Sequence, residues 1–262
     1  MEPGGVITGA GRPAGPDGRP LDGIPAQAGA PACETAPRTG PRRPRPWLLL
    51  PTPTGTPFTF GYSAVLVATS LFMEFAAPDV VSAALRASST DVTHLAQSPA
   101  LVLVASALWI AGGLTSPFGL AFVIVLTALE RRIGGLRTAA VFLLGHVLAT
   151  LATEVPVGLS VAAGRLPDSS LHRLDYGISF GVAASIGALA GLLTRWPRRL
   201  ILAVFAASLI EDLIGSTDPM TSWGHLLALA IGVATWPLVR RSRITARRAP
   251  AAGPGSPRTS RW

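Results

Sequence analysis

DYGISFGVAASIGALAGLL, residues Asp175–Leu193, is an apolar run close to the roughly 20 residues a bilayer-spanning helix requires. Its head, Gly177-Ile178-Ser179-Phe180-Gly181, sets a serine between two glycines. Small residues then recur at helical spacing: Gly181, Ala184, Ser185, Ala188 and Gly191. A helix of this kind belongs at the centre of a bundle, where small faces let neighbouring backbones approach closely. Two readings of Ser179 stand at this point. Its hydroxyl either bonds back to its own helix, or acts as a nucleophile at the head of a buried helix.

Composition bounds what surrounds this run. The 262 residues are 49% hydrophobic and 14% charged, with a mean hydropathy of +0.45. These values set the chain apart from ordinary soluble domains. All 22 basic residues are arginine, and the chain has neither lysine nor asparagine. The arginines fall in short clusters between apolar runs, which is a membrane pattern and not a nucleic-acid-binding face. Cys33 is the only cysteine, so an intramolecular disulfide and a CxxC metal site are excluded. No metal or cofactor is expected.

Residues 1–56, rich in Pro, Gly, Ala and Arg, lack apolar periodicity and are expected to be a disordered tail, as are residues 241–262. Between them, residues 57–240 read as an all-α membrane domain of six spans. The spans are placed near Phe58–Ala77, Pro117–Leu129, Thr138–Leu159, Asp175–Leu193, Leu200–Ile214 and Ser222–Val239. Ala100–Leu114 is expected to be an embedded or interfacial segment continuing the first loop, packed on protein because irregular backbone is not tolerated against lipid. Arginine clusters precede span one, join two to three and four to five, and follow six. The other connections are acidic or mixed, which puts both termini in the cytoplasm. The arginine-only, alanine-rich composition points to a prokaryotic plasma membrane.

This topology predicts that two polar side chains share a depth. Ser179 is expected about four residues into span four, roughly 6 Å deep, and His225 about three residues into span six, roughly 5 Å deep. A histidine within reach of a serine can take its proton near neutral pH. His146 falls near the middle of span three, where a histidine hydrogen-bonded within the bundle is the plainer expectation. Glu74, Glu154 and Glu211 fall toward the outer ends of their spans, either clustered to hold His225 or lying at the interface.

Three motifs carry a resemblance. Gly177-Ile178-Ser179 is similar to the Gly-x-Ser of the rhomboid intramembrane serine proteases. Gly224-His225, followed by Ala228 and Gly232, resembles their sixth-span His-x-x-Gly-x-x-x-Gly, with alanine at the first glycine position. Glu130, Gly134 and Arg137 match their Glu-x-x-x-Gly-x-x-Arg between spans two and three. The resemblance implies a rhomboid-like bundle of six transmembrane helices, a catalytic Ser179–His225 dyad, and cleavage of transmembrane segments. The departures are specific. Phe180 replaces the glycine that normally follows the serine, and is expected to crowd the oxyanion site. No histidine lies in Pro117–Leu129, so the span-two His-x-x-x-Asn is missing. One lost oxyanion donor lowers turnover about a hundred- to thousand-fold. Three functions follow in order: a slow intramembrane serine endopeptidase; a pseudoprotease that binds client transmembrane helices; and a small-solute or proton-coupled transporter. The expected partners are the lipid bilayer and transmembrane substrates or clients, and no nucleic acid.

Overall fold

A computed structural model describes residues 49–215 and 218–241; the expected tails therefore lie almost entirely outside the described residues. Within them the chain is helical. Helices α1 (Pro57–Phe75), α2 (Pro78–Ala87), α3 (Val92–Gln97) and α4 (Pro99–Ser106) are followed by α5 (Pro117–Ile133) and α6 (Gly135–Ala162). A short 3-10 turn, Asp168–His172, precedes α7 (Ser179–Ala190), α8 (Arg195–Gly215) and α9 (Pro219–Ala234). After a turn at Thr235, α9 runs on to Arg241.

Local chemistry sets these boundaries. Proline opens α1, α2, α4, α5 and α9, where its fixed φ suits the first turn and its missing N–H costs no helical bond. Asp91, Ser116 and Asp218 cap α3, α5 and α9 by accepting from the N–H of His94, Gly119 and Thr221. Gly134, at φ +85°, supplies the left-handed residue that ends α5 and starts α6.

Among the described residues, three helices are long and apolar enough by themselves to cross a membrane: α1, α6, and α9 with its extension. The other three expected spans are α5, α7 and α8. The first two are shorter, with 17 and 12 residues, and α8 carries Arg195, Arg198, Arg199, Glu211 and Asp212. Large apolar side chains such as Phe75, Leu101, Leu136, Leu200 and Ile214 remain exposed, as a lipid-facing surface requires.

At the centre sits α7, with Phe180–Ala188 and Ala190 all buried. Its small residues match equally small ones opposite. A methyl group on Gly187 would meet the Leu229 carbonyl oxygen at 2.5 Å, and one on Gly232 would meet the Ala184 carbonyl carbon at 2.7 Å. The two backbones thus touch through reciprocal glycines, as expected where packing and not water drives helix association. Toward the other side of α7, Gly181 lies under the Phe142 ring of α6.

Glu130 shows what its motif does. Its carboxylate accepts from the N–H of Phe58 (3.0 Å) and Thr59 (2.8 Å) and from the Thr59 hydroxyl (2.6 Å), so it caps α1 from the end of α5. An anion suits the unpaired donors of a helix N-terminus. Residues 49–56, expected to belong to the tail, instead form a turn under α1: Thr56 is fully buried and its N–H donates to Thr52 O.

The segment Ala100–Leu114 does lie against protein. After α4 it turns through Gly112 and Gly113, both at positive φ. Its freed carbonyls are satisfied from α1: Tyr62 donates to Ala107 O (2.5 Å) and Thr69 to Leu108 O (2.7 Å).

Candidate functional site

Ser179 is the first residue of α7, not a residue one turn inside it. The cause is Gly177, whose φ of +123° is barred to most side chains and breaks the helix there. Two backbone bonds hold that turn: Gly177 N–H donates to Ser106 O (2.9 Å) and Ile178 N–H to Trp109 O (3.1 Å). Trp109 is itself anchored by its indole N–H on the Ser88 hydroxyl at 2.7 Å. No side chain caps the N-terminus of α7.

His225 is the seventh residue of α9, roughly 9 Å along that helix from its start. It is therefore farther from the start of its helix than the span boundary drawn from sequence implied, because Pro219 starts the helix three residues before Ser222. The imidazole is 9% exposed and lies in an aromatic box. Phe118 stacks on one face (centroids 4.9 Å, planes at 17°), and Phe180 meets it edge-on (5.1 Å, 71°). Its Nε2 is buried without a hydrogen-bond partner, and no hydrogen bond joins it to the partly exposed Ser179. Phe180, the residue after the serine, lies in the α7–α9 packing. Its ring lies across Gly224 and joins Ala149, Ala183, Ala184 and Ala228 in one buried cluster. Gly224 is required there, since a methyl group would run into that ring.

The serine and histidine that do bond are Ser106 and His146. His146 Nε2 lies 3.1 Å from Ser106 Oγ and 3.0 Å from Leu103 O. A carbonyl only accepts, so Nε2 carries the proton and cannot act as the base for Ser106. His146 is thus hydrogen-bonded within the bundle, at the plainer of its two expectations, with Nδ1 left unpartnered. Sequence reading missed Ser106 because nothing in the apolar run of α4 marks it.

Missed as well is the hub at the acidic end, Arg173. Its guanidinium donates to Glu154 on α6, to both carboxylate oxygens of Asp218 (3.0 and 2.8 Å), and to the Thr221 hydroxyl (2.9 Å). Glu154 therefore pairs with Arg173 and does not hold His225, while Glu74 and Glu211 are exposed. Next to the hub, buried Asp175 accepts from the Thr90 hydroxyl (3.1 Å) and its backbone N–H donates to Ser89 Oγ (3.1 Å). Burial pushes the Asp175 carboxyl above the usual aspartate range, against the pull of Arg173. At Asp218 partial burial works the same way, but the Thr221 hydroxyl and Arg173 outweigh it and hold the group low. Among the described residues no three His, Cys, Asp or Glu side chains converge as a metal site.

No curated protein and no solved structure matches the chain. The profile of the family described as rhomboid-like protein does match, over residues 54–245. That range holds the Glu130 cap, the clamped Gly177–Ser179 turn, the glycine-lined α7–α9 crossing and His225. On this match the chain belongs to the rhomboid-like protein family.

Proposed function

We propose that this rhomboid-like membrane protein binds transmembrane helices of client proteins and does not cleave them in the arrangement described. It crosses the plasma membrane six times, with both termini in the cytoplasm. One observation carries the reading: His225 sits in the Phe118–Phe180 box with no hydrogen bond to Ser179. A serine hydroxyl is a weak nucleophile without a base on its proton. The absence of asparagine from the chain also removes a side-chain oxyanion donor. The client groove is assigned to the α8 side. That helix buries only Leu209, and its Phe205 ring meets Phe118 edge-on at 6.5 Å, next to the imidazole.

A second reading, intramembrane serine endopeptidase, is favoured by the uncapped N-terminus of α7. Should the box open, His225 would take the Ser179 proton as the hydroxyl adds to a peptide carbonyl. The free N–H groups of the first turn of α7 would receive the oxyanion.

A fluorophosphonate probe and a photo-crosslinker at Phe205 separate the two. Client binding predicts crosslinks to transmembrane segments, unchanged in Ser179→Ala, and no probe labelling. Labelling that Ser179→Ala abolishes establishes the peptidase, and absence of both signals refutes both readings.

A further inference from the structure

Toward the acidic end of the bundle, a cavity of about 250 Å³ lies between α3 and α6. Val92, Leu95 and Ala96 form one wall, and Leu151, Glu154 and Val155 the other. One turn on from Glu154 the two helices close on each other, where a methyl group on Gly158 would meet Val92 Cγ1 at 2.9 Å. We propose that this cavity binds a small primary amine with an apolar body, its ammonium donating to Glu154 and its hydrocarbon lying on the apolar walls.

Glu154 carries the argument. It is 1% exposed and forms part of the cavity wall. One carboxylate oxygen, Oε1, accepts from Arg173, and that ion pair favours the charged form. The other, Oε2, is buried with no hydrogen-bond partner. A buried charged acceptor left unpaired is costly. None of the other lining side chains carries a donor, so a ligand in the cavity has to bring its own. The terminal torsion of a glutamate is soft, and presenting Oε2 to the cavity requires no change of rotamer.

Charge selects a cation for that donor. Arg173 divides its N–H groups between Glu154 and Asp218, and the charges of buried Asp175 and Asp91 also act on Glu154. An ammonium is attracted in this field, whereas a carboxylate or phosphate ligand is repelled. Water alone does not suit the site, because a bound water needs several polar partners and every wall residue but Glu154 is apolar. Taking a water's share of volume, about 30 Å³, for each heavy atom, the cavity holds about eight of them, which makes hexylamine a suitable probe. The site is built by α3 and α6, so it depends neither on clients binding along α8 nor on whether Ser179 reacts.

The test is equilibrium dialysis of labelled hexylamine against the full chain in neutral detergent, with the same detergent without protein as the blank. One saturable hexylammonium per chain is expected above the blank. Hexanol should compete about tenfold more weakly, the difference between a charge-assisted and a neutral hydrogen bond, and hexanoate should not compete. Glu154→Gln should weaken binding by the same factor. Leu151→Trp, which fills the cavity and keeps the Glu154–Arg173 pair, should abolish it, whereas Leu148→Trp outside the cavity should change nothing. Melting without amine checks that each variant is folded, and Leu151→Trp decides where Glu154→Gln is not. The proposal is overturned by no saturable binding in the wild type, by hexanol or hexanoate competing as well as the amine, or by binding retained in Leu151→Trp. An equal loss in Leu148→Trp also overturns it. So does phosphatidylethanolamine competing as well as hexylamine, which would make the occupant a lipid headgroup.

Discussion

Gly187→Ala adds one methyl group at the point where α7 and α9 touch. That methyl would lie 2.5 Å from Leu229 O, 3.0 Å from Val233 N and 3.1 Å from Gly232 C. All three are backbone atoms of α9, so no rotamer change relieves the clash. Ordinary contact starts near 3.4 Å, and the helices must separate by about 0.9 Å to reach it. A radial gap of that size forfeits roughly a quarter to a half of the attraction of each atom pair along the seam. In a bilayer this attraction is a main force holding the helices together. Overpacking of this type costs about 1–3 kcal/mol. The better helix propensity of alanine, about 1 kcal/mol, offsets little, because helices persist in membrane-embedded unfolded states. A net loss of about 2 kcal/mol corresponds to a melting temperature lower by roughly 4–8 °C for a chain of this size. The measurement is thermal unfolding in detergent followed by circular dichroism. Gly232→Ala, approaching from the other helix, should give a loss of the same order. A melting temperature equal to or above that of the wild type in Gly187→Ala would mean that propensity wins and the backbones are not in contact.

Glu130→Ala removes the acceptor for three donors at the head of α1. It should lower stability by at least about 3 kcal/mol and speed amide exchange at Phe58 and Thr59; unchanged exchange there would refute the cap. Arg173→Gln leaves Glu154, 1% exposed, without its cation, and should cost about 3–5 kcal/mol in the same melt, with a wild-type melting temperature counting against the hub. Asp175 has a folded pKa above its ordinary 3.8, so its stabilising contribution is complete below that value and is lost as pH rises through the folded pKa. The difference in melting temperature between Asp175→Asn and the wild type should therefore grow in favour of the variant from about pH 4 upward; a difference independent of pH would refute it.

What could be read from sequence was whatever repeats or clusters along the chain. Apolar run lengths located the helices, and the small residues of Asp175–Leu193 identified α7 as central. The contacts between distant segments left no such mark. Glu130 meets Phe58 and Thr59 across 72 and 71 positions, and Thr90 meets Asp175 across 85, in stretches without periodicity. Arg173 looks like one more loop charge until the fold brings α6 and the head of α9 to it. Helix registers near glycine were also hidden, because a positive φ at Gly177 is a property of the turn that Ser106 and Trp109 clamp.

That clamp sets where Ser179 falls, and no hydrogen bond joins it to His225. Gly177 must leave helical geometry to donate to Ser106 O, and α7 can then begin only at Ser179. The serine is left at the rim, partly exposed, while the following residue takes the first inward position. A glycine there would leave space between α7 and the imidazole. Phe180 fills that space and lays its ring edge on His225, and the bare Cα of Gly224 gives the ring its bed. With Phe118 stacked on it as well, the imidazole makes two aromatic contacts, and among the described residues no hydroxyl or carboxylate bonds its Nε2. The Glu130 cap and the glycine crossing hold the helices around this point, while the Phe118 and Phe180 rings pack on the imidazole. Phe180 is the residue on which that difference turns. Its replacement by glycine removes the ring from the imidazole while leaving the Gly177 clamp and the Gly187–Gly232 contact untouched.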